Sequence, residues 1–392
     1  MDNLKNILFI THSYNSFQKD PINEMSKYFE NVEVLVRSNP IAEIANYIPI
    51  HSLDRFKLSA KIDKKDSPSN VSICSTPIVY APIDLEYKKL GERHFKEVEK
   101  SLKKNNIKFD IVHSHFTWSA GYVGAKLKEK YDIPFIVTAH GYDIYHLPFK
   151  DEDWKKRIEY VLNSADHIIT VSNNNLECIK KLDVKTPVSV IPNGYNNKIF
   201  YPMNKLDCRS KLGIPSNKKI IVSVGNLAEI KGHKYLISAL SEVIKTKKDV
   251  YCYIVGEGAL KNKLQKQIDK LNLNDNVKLV GAKPHDEIPI WMNAADLFVL
   301  PSLKESFGVV TVEALACGKP VVSTYNGGSE EILISENYGL LCEPKNPEKL
   351  AENILNAIKK DWDNENISNY SKEFTWDRIS KQILNAYKNV LK

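Results

Sequence analysis

The sequence predicts an α/β fold of two doubly wound, parallel-sheet domains. Three observations predict it. Short β-branched and aromatic runs alternate with longer amphipathic stretches along the whole chain. Several of those runs are apolar at consecutive positions, the pattern of strands covered on both faces. The alternation lapses once, in IPNGYNNKIFYPMNKLD (191–207), where Pro192, Asn193, Gly194 and Pro202 crowd together as in a linker.

In order, the predicted strands of the first half are NILFI (6–10), VEVLVR (32–37), DIVHSHF (110–116), PFIVTAHG (134–141), HIITVS (167–172) and VSVIPNG (188–194). Those of the second half are KIIVSVGN (219–226), VYCYIVGEG (250–258), VKLVGA (277–282), DLFVLPS (296–302), PVVSTYNGG (320–328) and GLLCEP (339–344). Helical patterns lie between them, among them Lys231–Lys247, Ala259–Leu271 and Val309–Cys317. With six strands on each side, we place one domain at 1–200 and the other at 201–374, joined near 195–215. Sheets of this kind bind ligands in the crevice beyond the carboxyl ends of their strands. Two such crevices facing each other would form a deep cleft.

Composition narrows the function classes. With 392 residues, 43% hydrophobic and 26% charged, the chain is neither disordered, fibrous nor a disulfide-dense mini-protein. A net charge of +7 permits attraction to phosphate or an anionic membrane, but it is not concentrated as in a nucleic-acid binder, so no nucleic-acid partner is expected. The six cysteines form no C-x-x-C pair and read as buried thiols of a reducing compartment. No signal peptide is visible, and no run approaches the roughly 18–20 apolar residues of a spanning helix. The expectation is a cytoplasmic protein, at most peripheral to the inner face of a membrane.

The most informative segment is LFVLPSLKESFGVVTVEALACGKPVVSTYNGGSEEI (297–332). It reads strand, loop, helix, strand, loop, helix. Ser306, Phe307, Gly308 and Val309 open the first helix, where unpaired amides and the helix dipole favour an anion. Glu305 precedes that point and Glu313 follows it. Carboxylates do not hold phosphate; they accept hydrogen bonds from hydroxyls. The combination fits a ligand with phosphate in the middle and hydroxyls on both sides, as in a nucleotide sugar. Two solvated glutamates flanking a structural helix would leave the same trace.

The run Pro301–Glu331 resembles the signature of the family 4 retaining glycosyltransferases, which have the GT-B fold of two facing Rossmann-like domains. HGYD (140–143), IPNGYNNKIF (191–200), SVGNLAEIKG (223–232), VGEG (255–258), AADLFVLPS (294–302) and GLLCEPKNPEKLAENI (339–354) fit in the same order. The resemblance is strongest over 219–354 and weakest before residue 110. It implies transfer of a sugar from a nucleotide-diphospho-sugar, UDP slightly before GDP, without a bound metal or other cofactor. The acceptor would be a glycan or lipid-linked sugar.

The resemblance also implies roles. Glu305 would accept from the donor sugar's hydroxyls and Glu313 from the ribose. The amides of Ser306, Phe307, Gly308 and Val309 would meet the diphosphate, and Lys231 would neutralise it. Gly256 and Gly258 would let backbone approach the nucleotide. His140 would face the donor sugar at the reacting centre. Asn226 stands where the family usually has Arg, so one diphosphate-neutralising cation is absent or supplied from elsewhere. The loop after the first strand, THSYNSFQKDP, lacks the family's glycine pair, and no residue is assigned there. The helix 375–392 would pack back on the first domain.

Other features are ambiguous from sequence. Asp143 either organises the HGYD loop or caps a turn. His113 and His115 share one strand face, but no third metal ligand is evident; His115 is an acceptor-site candidate. The Lys/Arg-rich stretch 86–108, with Leu90, Phe95, Val98 and Leu102 at mostly helical spacing, reads as a mixed-charge surface helix, or more sharply as a contact for anionic lipid. A nucleotide-sugar epimerase of the same architecture and a non-catalytic nucleotide-sugar binder are the competing functions.

Overall fold

The computed structural model describes residues 4–46, 56–81 and 83–391. The chain divides into two compact units, Met1–Pro192 with Ile379–Lys392, and Asn193–Arg378. The first carries a parallel sheet of β1 (Leu4–Thr11), β2 (Phe29–Ser38), β3 (Val71–Pro77), β4 (Ile111–His115), β5 (Phe135–Ala139), β6 (His167–Thr170) and β7 (Val188–Val190), in the order β3-β2-β1-β4-β5-β6-β7. The second carries β8 (Lys219–Val224), β9 (Val250–Val255), β10 (Val277–Gly281), β11 (Leu297–Leu300), β12 (Val321–Thr324) and β13 (Gly339–Cys342), in the order β10-β9-β8-β11-β12-β13. The fold is therefore α/β with two doubly wound parallel sheets.

The apolar runs form the strands because both sheet faces are covered. Ile7–Ile10 and Phe135–Val137 are essentially inaccessible in the first unit, and Ile220–Val222 and Leu297–Leu300 in the second. In the first core, Leu8, Val112 and Val137 belong to the same cluster as Trp118, Trp154 and Ile158. In the second, Ile221, Ile254 and Val299 cluster with Leu236, Leu240 and Ile354.

Three expectations need correction. The first sheet has a seventh strand, β3, at its edge. Its sequence VSICSTP is only partly buried and lacks a continuous apolar run, so it carries no strong strand signal. The boundary falls at Pro192/Asn193 rather than at 200. Tyr195 bridges to Thr375, its amide donating to the Phe374 carbonyl at 2.9 Å, which ties 193–200 into the second unit. The stretch 195–215, where the join was expected, is folded into the second unit. Asn204 caps a helix over Lys205–Leu212 that stops at Gly213, and the buried Arg209 pairs with Asp296 at 2.7 Å.

The last helix, Trp376–Val390, begins in the second unit, where a Cβ on Gly194 would meet the Trp376 ring at 2.6 Å. From Ile379 onward it belongs to the first. Cys208, Cys252, Cys317 and Cys342 are buried, but Cys74 and Cys178 only half so. Among the described residues, no helix is long and apolar enough to cross a membrane.

Candidate functional site

Strand order places the candidate residues. In the second unit the order reverses between β8 and β11, so their carboxyl-end loops meet at the switch point. The loop after β8 carries Asn226 and Lys231; the loop after β11 carries Ser302, Glu305 and the helix start. Gly232 lets these loops touch. Its φ is +65°, and a Cβ there would lie 2.0 Å from the Pro301 carbonyl oxygen.

Lys231 Nζ lies 2.6 Å from Glu305 Oε1, and Ser302 Oγ donates to the same oxygen at 2.6 Å. Glu305 is buried, and its amide donates to the Asn326 carbonyl. The helix Val309–Ala316 follows Gly308, whose φ is +88° and whose place at the N-cap offers no side-chain cap. Among the described residues, no protein acceptor is seen for the amides of Phe307, Gly308 and Val309. The geometry is a half-buried cation, a carboxylate and a row of donors around one loop.

Glu313 projects from the same helix and is buried. His285 Nε2 lies 3.1 Å from its Oε1, and the His285 ring packs edge-on against Phe200. Sequence reasoning missed His285. The available signal was its place just after β10, at a strand's carboxyl end. Gly256 and Gly258 serve local packing. A Cβ at either would lie 2.0 Å or 2.4 Å from the carbonyl oxygens of Gly225 and Leu227, so the loop after β9 closes on the loop after β8. Asn226 is exposed.

In the first unit the switch lies between β1 and β4. His140 follows β5. Its Nε2 is 2.9 Å from His115 Nδ1, and its own Nδ1 is buried without a partner. Phe116 and Phe17 flank the ring at 4.6 and 5.2 Å. Burial holds the His140 imidazole well below its usual range, with His115 adding to the effect, so the ring is neutral near pH 7. Burial likewise takes His115 down to about 4. Asp143 organises the loop, accepting from the amides of Thr117 at 2.8 Å, Gly141 at 2.8 Å and His140 at 3.2 Å.

His113 shares the His115 face, but its ring is held by Tyr387 Oη and Thr138 Oγ1. That makes it an anchor for the last helix. His12 and Phe17, from the loop to which no residue was assigned, also belong to this group. His12 stacks on Phe116 at 4.7 Å and leaves Nε2 buried without a partner.

The stretch 86–108 forms helices Asp84–Lys88 and Leu90–Lys104. Leu90, Val98 and Leu102 enter the core, while several charges are paired on the surface, as in Arg93–Glu86 and Lys100–Glu97. Among the described residues, no group of three or more His, Cys, Asp or Glu could hold a metal ion. A concavity of about 750 Å³ lies at the other end of the second sheet, beside Lys219, Leu297 and Lys319, away from Lys231 and Glu305.

Two family models match the chain: glycosyl transferases group 1 over residues 204–374 and glycosyltransferase family 4 over residues 62–198. An uncharacterized glycosyltransferase of Methanocaldococcus jannaschii is 33% identical over 72% of this chain and 76% of its own. A putative teichuronic acid biosynthesis glycosyltransferase of Bacillus subtilis, TuaC, is 30% identical over 78% of this chain and 77% of its own. Among solved structures, Anabaena Alr3699/HepE in complex with UDP superposes with a TM-score of 0.75 at 21% identity, covering 98% of this chain and 100% of that one.

Proposed function

This chain belongs to the group 1 glycosyltransferases, and we propose that it is a retaining, metal-independent enzyme using a UDP-linked sugar, with a glycan or lipid-linked sugar as acceptor. The observation that carries this reading is the cluster at the second switch point: Lys231 on Glu305, with the free amides of 307–309 beside them. A diphosphate suits the amides and Lys231. Hydroxyls of the sugar suit Glu305, and those of the ribose suit Glu313. The UDP bound in the Anabaena structure favours UDP over GDP.

In the proposed reaction the bond between the anomeric carbon and the β-phosphate oxygen breaks. The acceptor hydroxyl oxygen bonds to that carbon on the face the leaving group departs from, and its proton passes to the leaving phosphate. Charge grows on that phosphate as the sugar becomes oxocarbenium-like. Lys231 and the three amides would stabilise it without reorganising, which is the main source of rate in such a site. Lys231 would exchange Glu305 for the diphosphate as its partner. His140, neutral and with a free ring nitrogen, is the proposed contact to the transferring sugar.

The test is transfer from a panel of UDP- and GDP-sugars to simple glycan acceptors, with the product anomer assigned by proton NMR. An α-linked product from an α-linked donor supports the reading. An inverted product, or epimerised sugar without an acceptor, rules it out.

A further inference from the structure

We propose that the acceptor carries an anionic group, phosphoryl or carboxylate, and that Arg37 and Lys61 bind it. Both side chains are buried, at 6% and 8% exposure. Arg37 is the next-to-last residue of β2; Lys61 ends the short helix Leu58–Lys61. The Arg37 Nη1 donates to Ser119 Oγ at 2.9 Å, while its Nε is buried without a partner. Lys61 Nζ donates to the Arg37 backbone carbonyl at 2.7 Å. Among the described residues, neither has a carboxylate partner.

Lys19 and Arg209 are buried as deeply, and each is paired, with Asp63 and Asp296 respectively. Lys319, equally buried, also has no ion-pair partner among the described residues; what sets Arg37 and Lys61 apart is that the two are in direct contact. An unpaired buried charge costs far more than a paired one, and two like charges side by side cost more again. The rings of Tyr80 and Tyr87, 5.5 and 5.8 Å from the Arg37 guanidinium, offset part of this cost. Among the described residues, the nearby carboxylates are engaged elsewhere: Glu43 accepts from the Leu58 amide at 2.7 Å and Asp63 pairs with Lys19. His94 bonds Ser119 Oγ and Thr76 Oγ1, and burial holds it neutral. Burial and the Arg37 charge bring Lys61 down to about 7. An anion would satisfy the free Nε, hold Lys61 protonated and remove the repulsion.

The position fits an acceptor. Arg37 and Ser119 lie at the carboxyl ends of β2 and β4, where this sheet type binds ligands. His12, stacked on Phe116 beside His140, is pushed well below its usual range first by burial and then by the positive charges of Arg37 and Lys61. The cations therefore act on a ring, His12, that packs through Phe116 against the group proposed to meet the transferring sugar. Naming the bound molecule as the acceptor rests on the glycosyl-transfer reading; the anion site itself does not.

The test is calorimetric titration of inorganic phosphate, and separately of acetate, into the full chain saturated with UDP, so that the diphosphate donors are occupied. Binding is expected in the wild type and at least about tenfold weaker in Arg37→Gln and in Lys61→Met, the loss of one charge-assisted hydrogen bond. UDP affinity should be unchanged in both. Tighter phosphate than acetate assigns a phosphoryl group; the reverse assigns a carboxylate. In transfer assays the preferred anion should compete with the acceptor and not with the donor. In anion-free buffer Lys61→Met should raise Tm, and it carries the test alone if Arg37→Gln does not fold. Neither anion binding, equal binding by wild type and variants, or a lower Tm for Lys61→Met would overturn the proposal. Failure of UDP to bind would instead remove the donor reading and leave the phosphate result interpretable.

Discussion

Lys231 is the ion-pair partner of Glu305, at 2.6 Å. The sequence resemblance assigns these residues to different parts of a donor, the lysine to diphosphate and the glutamate to sugar. The structure joins them in one contact, reinforced by the Ser302 hydroxyl. Each therefore sets the position of the other, and their effects on catalysis should be coupled.

A double-mutant cycle measures that coupling. Lys231→Ala should lower kcat/KM by about 10²–10³, the range for a lost leaving-group stabiliser. Glu305→Ala should also lower it, with weaker discrimination between donor sugars. The double variant should lose less than the two single losses combined, by about 0.5–3 kcal/mol of interaction energy. Strict additivity would mean that the contact has no part in the reaction.

Asn226→Arg should return part of the activity lost in Lys231→Ala. Position 226 is exposed and follows Gly225, where a Cβ would lie 3.7 Å from the Lys231 side chain. An arginine there can reach the same anion as Lys231, and its fork suits a diphosphate better than an ammonium does. Steady-state kinetics on the two single variants and the double variant decide it. Activity of the double variant no higher than that of Lys231→Ala would place 226 away from the phosphates.

His140→Ala should lower kcat by about ten- to thousandfold and leave UDP affinity within error. The ring belongs to the first unit and shares its hydrogen bond with His115 of the same unit. An equal loss of UDP affinity, or no change in kcat, would remove it from the mechanism.

Acid should destabilise the first unit early. His12, His94, His113 and His140 are held well below 6.5, and His115 is brought down to about 4, in every case chiefly by burial. The unfolded chain protonates them near 6.5, so between about 6.5 and 4 it binds more protons than the native state. Stability is then complete above 6.5 and falls as pH drops through that window. Unfolding at pH 6 should take up several protons per chain, read from calorimetry in buffers of different ionisation enthalpy. No net uptake would mean that these rings are already charged in the native protein.

Glu305, the 306–309 turn and Glu313 were legible as one group in the sequence because they fall within one strand–loop–helix segment. Apolar continuity likewise marked every buried strand. The failures have one physical cause: the missing signals were spread out or weak. β3 is a half-exposed edge strand without an apolar run. His285 reaches Glu313 from 28 positions away. His12, Phe17, Arg37 and Lys61 come from separate short segments, and only strand order brings them beside Ser119 and His140. The packing reason for Gly256 and Gly258 is a backbone contact that composition does not record.

The central claim is that the second unit holds a nucleotide diphosphate along Lys231, Glu305, the amides of 307–309 and Glu313. Calorimetric titration of UDP into the wild type and Glu313→Ala tests it most directly. The account predicts that the wild type binds UDP and that Glu313→Ala binds it more weakly by about 1–3 kcal/mol, the value of a hydrogen bond to a charged group. UDP and GDP affinities that are the same with and without the Glu313 carboxylate would contradict it.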